Sequence, residues 1–483
     1  MGALQADVVV VAGGASGLAA AISAAQAGSS VIVFEKGSTT GGAGNMGMGP
    51  FGVESRLQRL KQIGPDRDQA FRMFMDYTHW RVDARLVRAH IDKAATTIDW
   101  LEGLGVEFVE PATYFPGGQR TWHLVKPATG VPGPMASGTM MKILTDKAKE
   151  LGVKILLQTP VAKIVKRGDR VTGVIAEDRS GEPVEAQAGA VIVATGGFGD
   201  NPEMIKKYTG FDWGKDLFSF RIPGVVGDGI RMAWEAGAAP TEMTMEMIYG
   251  MPGEVNPALH MVFHQPHLLV NLQGERFMNE EILPNTTFAG NAITVQKDRT
   301  AFLVFDETIK RHMETVGFDD ISVVFPFMKV DDLDALIAQA QGGGYKDVFV
   351  ADSLDDLAAQ TGIDPAGLAR TVVDYNRYCA QGYDEVFNKK HHLLRPVDAP
   401  RYYAARLLPG AYGSLGGIKI NYRTEVLDKQ WNTIFGLYAA GTDACSIYGD
   451  SYVFILPGNT MGFAINTGRI AGENASEFVR SVT

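Results

Sequence analysis

Phenol, imidazole and guanidinium side chains collect at three places along the chain: Tyr114, Arg120 and His123, then Tyr249, His260, His264 and His267, and finally Tyr412, Tyr448 and Tyr452. A tyrosine with its reference pKa of ~10 stays protonated at neutral pH, so it can donate a hydrogen bond to a carbonyl or a proton to a carbanion. Tyr249, Tyr412, Tyr452, His264 and Arg120 form the candidate catalytic set, suited to a reaction in which charge develops on a substrate and a polar group stabilises it. The histidines at 260, 264 and 267 also invite a metal reading. Pro266 breaks any helix that would gather them, and residues 268–271 continue as a strand, so no metal site is expected. Met243, Met245, Met247 and Met251 suit an apolar pocket wall or, more commonly, core packing.

These groups need a scaffold and a reactive partner, and the glycines supply the clue to both. Residues 6–11 are a β-branched run that ends in Ala12-Gly13-Gly14-Ala15-Ser16-Gly17, passes into an alanine-rich helical pattern over 18–26, and returns through a strand at 30–34 to Glu35 and Lys36. Strand, glycine turn, helix, strand and acid, with the acid about twenty residues beyond the turn, is the dinucleotide fingerprint. Gly13, Gly14, Ser16 and Gly17 let a pyrophosphate approach the helix N-terminus, where unpaired N–H groups and the dipole favour an anion, and Glu35 accepts from a ribose hydroxyl. Ala12 stands where the first glycine belongs. The following run, with Gly41, Gly42, Asn45, Gly47, Met48 and Gly49, is dense enough for backbone to lie against a flat ligand, which points to FAD rather than a nicotinamide. Near the other end, Gly436 to Thr442 reads as strand and turn, and Pro457 to Ala464 opens a final helix whose N-terminus suits the electron-rich edge of a reduced flavin.

In this order the elements are similar to the fumarate reductase and succinate dehydrogenase flavoprotein family, which also includes urocanate reductases, flavocytochromes c and 3-ketosteroid dehydrogenases. The resemblance covers most of the chain. It rests on the N-terminal fingerprint, Gly41 to Gly49, Ala190 to Phe198, Gly227-Asp228-Gly229, Asn271 to Glu280 and the C-terminal glycine turn. It implies that Lys36, Val161, Ala194, Thr195, Gly196, Asp228, Gly441, Thr442, Asn459, Thr460 and Met461 join the glycines at the cofactor. It also implies a non-covalent FAD, because members that attach the flavin use a histidine just before the N-terminal glycine run, and Gly37 to Gly49 and its approach have none. The substrate clamp departs from the family. Pro284 stands at the position of the proton-delivering arginine, and Thr460, Gly413 and Tyr249 stand where an arginine and two histidines bind dicarboxylates. Fumarate is therefore a poor candidate, because the bidentate charge-assisted pairs are gone. The phenols look nearer to the ketosteroid and urocanate branches, although Phe454-Ile455-Leu456 lacks the ketosteroid branch's carbonyl-binding tyrosine.

Composition excludes several other classes. The chain has 483 residues, 46% of them hydrophobic, and a net charge of −10, with no basic cluster to bind nucleic acid or an anionic membrane. Two cysteines, Cys379 and Cys445, cannot hold a zinc or iron–sulfur centre, and no haem attachment motif exists, so any metal relay belongs to a partner. Asp7 and the glycine turn argue against reading residues 8–25 as a membrane span or signal. A cytoplasmic, reduced setting is expected, with no membrane insertion.

The fold expected is α/β: a Rossmann-like FAD-binding domain with an inserted α+β capping domain. Residues 1–244 form the first part of the FAD-binding domain, with a helical insertion at about 50–137, residues 245–400 the cap, and residues 401–483 the final part. Inside the cap, Asp364 followed by Pro365 marks a helix start, and Arg276 with Glu280 reads as a structural pair. No second glycine fingerprint follows a strand, which disfavours a built-in NAD(P)H site and implies a separate electron donor. The favoured function is an FAD-dependent ene-reductase or dehydrogenase of a small molecule, acting on a C–C bond activated by a carbonyl or carboxyl group, by hydride exchange at flavin N5. The alternative is a flavin-carrying electron-transfer subunit with a vestigial pocket, and an oxidase using O₂ stays open.

Overall fold

A computed structural model describes residues 4–219, 222–449 and 451–482. Its strands are β1 (Leu4–Val11), β2 (Val31–Glu35), β3 (Lys154–Leu157), β4 (Val161–Arg167), β5 (Arg170–Glu177), β6 (Pro183–Val193), β7 (Phe218–Ser219), β8 (Thr244–Gly250), β9 (Leu268–Asn271), β10 (Ala301–Asp306), β11 (Val348–Ala351), β12 (Tyr402–Leu415), β13 (Glu425–Leu427) and β14 (Thr433–Ala439). They form two sheets. The first has the order β13-β14-β5-β6-β1-β2-β3, with β4 beside β5. Its centre is parallel, Val8 facing Val31 on one side and Ala190 on the other. Apolar runs such as Val8 to Val11 and Ala190 to Val193 are buried on both faces, as parallel strands covered by helices require.

The first helix, Ala15–Gln26, and the last, Asn459–Val482, pack on one face of this sheet and on each other. Their axes approach closely because the contact is made of small residues. A Cβ on Gly468 would lie 2.3 Å from the Ser16 carbonyl oxygen, and one on Gly472 the same distance from that of Ala20. The chain thus returns from its far end to the turn where it began, and the start of the last helix lies beside the N-terminal glycines. On the other face the core takes in Phe74, Val87 and Ile91 from the helices Arg67–Tyr77 and Ala84–Gly103, within the stretch expected to be helical.

The second sheet has the order β11-β12-β10-β9, with β7 and β8 also paired to β12. A separate core, gathering buried residues from Tyr249 to Leu407, packs against it. The helix Pro365–Gln381 begins as read from sequence: the Asp364 carboxylate accepts the Gly367 N–H at 2.6 Å, with Pro365 at the first helical position. Arg276 bonds Glu280 and Asp384, all three nearly excluded from solvent, and Lys389 joins them. Each buried charge has an opposite partner, as burial demands. Strand β12 runs fourteen residues, from this sheet to a bulge opposite Met245 and Met247 of β8 that holds Tyr412 and Gly413.

At the nucleotide turn Ala12 adopts φ +84°, a left-handed conformation that glycine takes without strain. An alanine there costs about 1–2 kcal/mol. Ala12→Gly should therefore stabilise the protein by about 1 kcal/mol, a rise of roughly 1–2 °C in the melting temperature for a chain of this size. Thermal melts followed by flavin fluorescence check this; an unchanged or lowered midpoint would show that the turn is not strained by its methyl group.

Candidate active site

The helix Ala15–Gln26 opens at Gly14 with no side-chain cap, so its first-turn N–H groups are available to an anion. Gly13 donates its N–H to Glu35 Oε2 at 2.7 Å, and Gly37 donates to Oε1 at 2.6 Å. Each carboxylate oxygen keeps a further lone pair for a ribose hydroxyl. Gly14 bridges to Gly41, which brings the glycine run against the turn. Within that run, a Cβ on Gly49 would lie 1.8 Å from the His123 carbonyl oxygen, so only bare backbone fits there, and one on Gly47 would lie 2.3 Å from Met461 Cε and displace that methyl group. Asn45 Nδ2 holds the Thr40 carbonyl, and Met48 is buried. Lys36 pairs with Asp228 at 2.7 Å, and Val161 opens β4 two residues beyond Thr159, whose N–H bonds the Glu35 carbonyl. Open amides, a glycine cradle and an acid at ribose distance fit a dinucleotide.

Thr195 and Gly196 are held by a residue that the sequence reading missed. Asp443 is fully buried and accepts the N–H groups of Thr195, Gly196 (3.3 Å) and Gly197 (2.8 Å) as well as the Thr195 hydroxyl at 2.9 Å. Burial pushes its carboxyl upward, and the converging donors oppose that shift. Asp443 stands in the turn from Gly441 to Ala444, so the end of β6 and the turn after β14 are joined through one carboxylate. Its only sequence signal is an acid among small residues just past an apolar strand.

The phenols meet between the two sheets. Tyr114 OH lies 3.2 Å from both Tyr412 OH and Thr286 Oγ1, and its ring stacks on Phe454 at 4.1 Å. Tyr452 OH accepts the Thr460 N–H at 2.8 Å, and Thr460 Oγ1 donates to Glu246 Oε1 at 2.8 Å. Glu246 is 7% exposed, and burial pushes its carboxyl up to about 7. It too escaped the sequence reading; the signal available was a lone acid within the methionine-rich stretch 243–247. Tyr249, 1% exposed, stacks on His264 at 4.6 Å, and its hydroxyl has no hydrogen-bond partner among the described residues. Burial raises Tyr114, Tyr249, Tyr412 and Tyr452 above the usual phenol value, so all four remain donors at neutral pH.

Two expectations need correction. Arg120 does not join this group: its guanidinium is half exposed and pairs with Glu110 at 2.8 Å, because a long cation on a loop finds a nearby carboxylate in water rather than lose its hydration. The histidines are not all kept apart. His260 and His264 stack at 3.8 Å across the end of the helix Pro257–Val262, while His267, beyond Pro266, packs on Phe305 instead. Burial holds His264 down at about 4, so it is a neutral imidazole at pH 7 and orients Tyr249 rather than serving as an acid.

The FAD binding domain family matches residues 7–460. The chain belongs to that family. This flavoprotein is 33% identical over 486 residues to the vinyl phenol reductase of Lactiplantibacillus plantarum, a match covering 98% of the chain and 96% of that relative. It is 30% identical to the NADH:fumarate oxidoreductase of Klebsiella pneumoniae, with 98% of the chain covered but only 48% of the relative. Its fold superposes on the open conformation of a flavocytochrome c3 fumarate reductase with a TM-score of 0.70 at 27% identity, covering 99% of this chain and 79% of that one. FAD is thus the cofactor, and the flavoprotein is an oxidoreductase built from a Rossmann-like domain and a cap. No helix among the described residues is long and apolar enough to cross a membrane.

Asp443→Ala would orphan three backbone amides in a buried turn. At about 1–3 kcal/mol for each unsatisfied group, the variant should lose most of its FAD and melt at a clearly lower temperature. Flavin-to-protein absorbance ratios and thermal melts check this, and full FAD content at the parent midpoint would deny Asp443 its structural role.

Proposed function

We propose that this flavoprotein reduces a carbon–carbon double bond in an uncharged or singly charged conjugated substrate, such as an alkenyl phenol or an enone. The observation that carries the reading is the polarity of the site: protonated phenols and two acids raised by burial, Glu246 and Asp320, with no guanidinium or ammonium group among the described residues acting on Glu246 or Tyr249. FAD, once bound and reduced, would supply the hydride for such a reduction. Thr460, placed by the family resemblance where dicarboxylate reductases keep an arginine, spends its hydroxyl on Glu246. A dianion would surrender hydration here without a cationic partner, at a cost of several kcal/mol per charge. The similarity to a vinyl phenol reductase over nearly the whole of both chains supports the same substrate class.

Within this reading, Tyr249 places its free hydroxyl on the polar group of the substrate, Tyr412 and Tyr114 form the facing pair, and Tyr452 fixes the start of the last helix at Thr460. His264 backs the Tyr249 ring. A separate donor supplies the electrons in this reading, since residues 1–483 show a single nucleotide fingerprint. A cytoplasmic setting suits a chain of this charge and cysteine content.

The test is anaerobic. The flavin is photoreduced, then mixed with 4-vinylphenol, an enone and fumarate, and reoxidation is followed optically. The phenolic or neutral alkene should react at least ~10²-fold faster than fumarate, and Tyr249→Phe, with FAD content retained, should slow that reaction by ~10²-fold. Fast fumarate reduction would overturn the reading of the pocket. The flavin should also be non-covalent, so acid denaturation should leave the precipitated chain colourless; yellow colour retained in the pellet would contradict this.

A further inference from the structure

Reducing an alkene needs one proton for every hydride, and the groups first suggested by the sequence are badly matched to deliver it. The phenols are raised by burial and hold their protons firmly. His264 is depressed to about 4 and carries no spare proton at pH 7. Arg120 is on the outer surface of its loop. Two acids remain beside the group, Glu246 and Asp320, and the geometry favours the first. Glu246 lies on β8, and its Oε1 takes the hydroxyl hydrogen bond of Thr460. Thr460 is the second residue of the last helix, next to Met461, whose methyl group rests against Gly47 in the cofactor cradle. The carboxyl is thus anchored beside the wall on which the flavin fits, between that wall and the cap.

We propose that Glu246 is the proton donor for alkene reduction. This rests on the function proposed above. The π bond of the substrate breaks, one carbon receives the hydride that reduced FAD supplies, and the other takes the proton from the Glu246 carboxyl. Two C–H bonds form, and Glu246 is left as a carboxylate that regains its proton from solvent. Thr460 is a positioning residue: its hydrogen bond fixes the carboxyl and favours the ionised form, opposing the effect of burial. Among the described residues, the titratable groups whose own ionisation responds to Glu246 are Tyr114 between the helices Ala84–Gly103 and Ser137–Glu150, Tyr412 on β12, and Cys445, Tyr448 and Tyr452 on the C-terminal segment. All of these described groups are neutral at pH 7, and Glu246 is protonated below about 7 and ionised above.

Asp320 is the competitor. Burial raises it to about 6 and one of its oxygens is unpartnered, but it sits on the cap loop after Gly317, without a bond to the cofactor side.

Glu246→Gln preserves shape and the acceptor for Thr460 while removing the proton. In single-turnover reoxidation by the fastest alkene of the panel, it should lose ~10²-fold or more, with FAD content and dithionite reduction as in the parent. The parent rate should fall as pH rises through about 7, and the variant should lack that limb. Thr460→Val removes a bond that favours ionisation, so it should move the limb to higher pH, a shift that a general loss of packing would not produce. An independent readout is the infrared carbonyl band of a protonated carboxylic acid in the resting protein, fading as pH rises through the same range and absent in Glu246→Gln. A variant within about threefold of the parent rate, a persisting limb, or a comparable loss in Asp320→Asn with Glu246→Gln unaffected would overturn the assignment. If no alkene reoxidises the parent, the reductase reading itself fails; the infrared titration then judges Glu246 alone, and a group ionised throughout the neutral range refutes it.

Discussion

A buried carboxylate with no cationic partner among the described residues, Asp443, holds the two ends of the flavin domain in register. Three consecutive amides after β6 point at it, and it stands in the turn that follows β14, more than two hundred residues later. In a medium of low polarity such an ion survives only where donors converge on it. The packing of the first helix against the last has the same effect from the other side, through small residues that bring two backbones together. Together these contacts set the start of the last helix against the nucleotide turn, and every group argued to act on substrate is measured from that point.

The cofactor half of the molecule was legible in sequence because its physical demands are local. A turn against a pyrophosphate excludes side chains, an acid must follow at a fixed distance, and both leave a pattern of glycines and one glutamate. Helix starts such as Asp364-Pro365 are local in the same way. The substrate half was not legible because its contacts join residues far apart in sequence: Tyr114 with Tyr412 and Thr286, and Glu246 with Thr460. Residue type misled as well. Arg120 and His264 are the usual carriers of charge and protons, yet solvent and a neighbouring carboxylate hold the first, and burial neutralises the second. Glu246 and Asp443, single acids in apolar or small-residue surroundings, gave no periodic or motif-like sign.

The same comparison explains why the family's dicarboxylate chemistry does not carry over unchanged. A clamp of arginine and histidine neutralises charge on the substrate; by the family resemblance the corresponding positions here hold two hydroxyl side chains, Thr460 and Tyr249, and Gly413. On the proposed reading the pocket avoids charge rather than binding it, while the flavin cradle beside it keeps the family pattern.

Among the described residues, four hydrogen-bonded pairs cross the seam between cap and flavin domain near the phenols: Tyr77 with Asn285, Tyr114 with Thr286, Asn291 with Ser451, and Thr460 with Glu246. None of the four is an ion pair. Dissolved salt screens attraction between ions but has little to act on here. The closure of cap on flavin domain at this place should therefore be nearly indifferent to ionic strength, in contrast to a seam held by ion pairs.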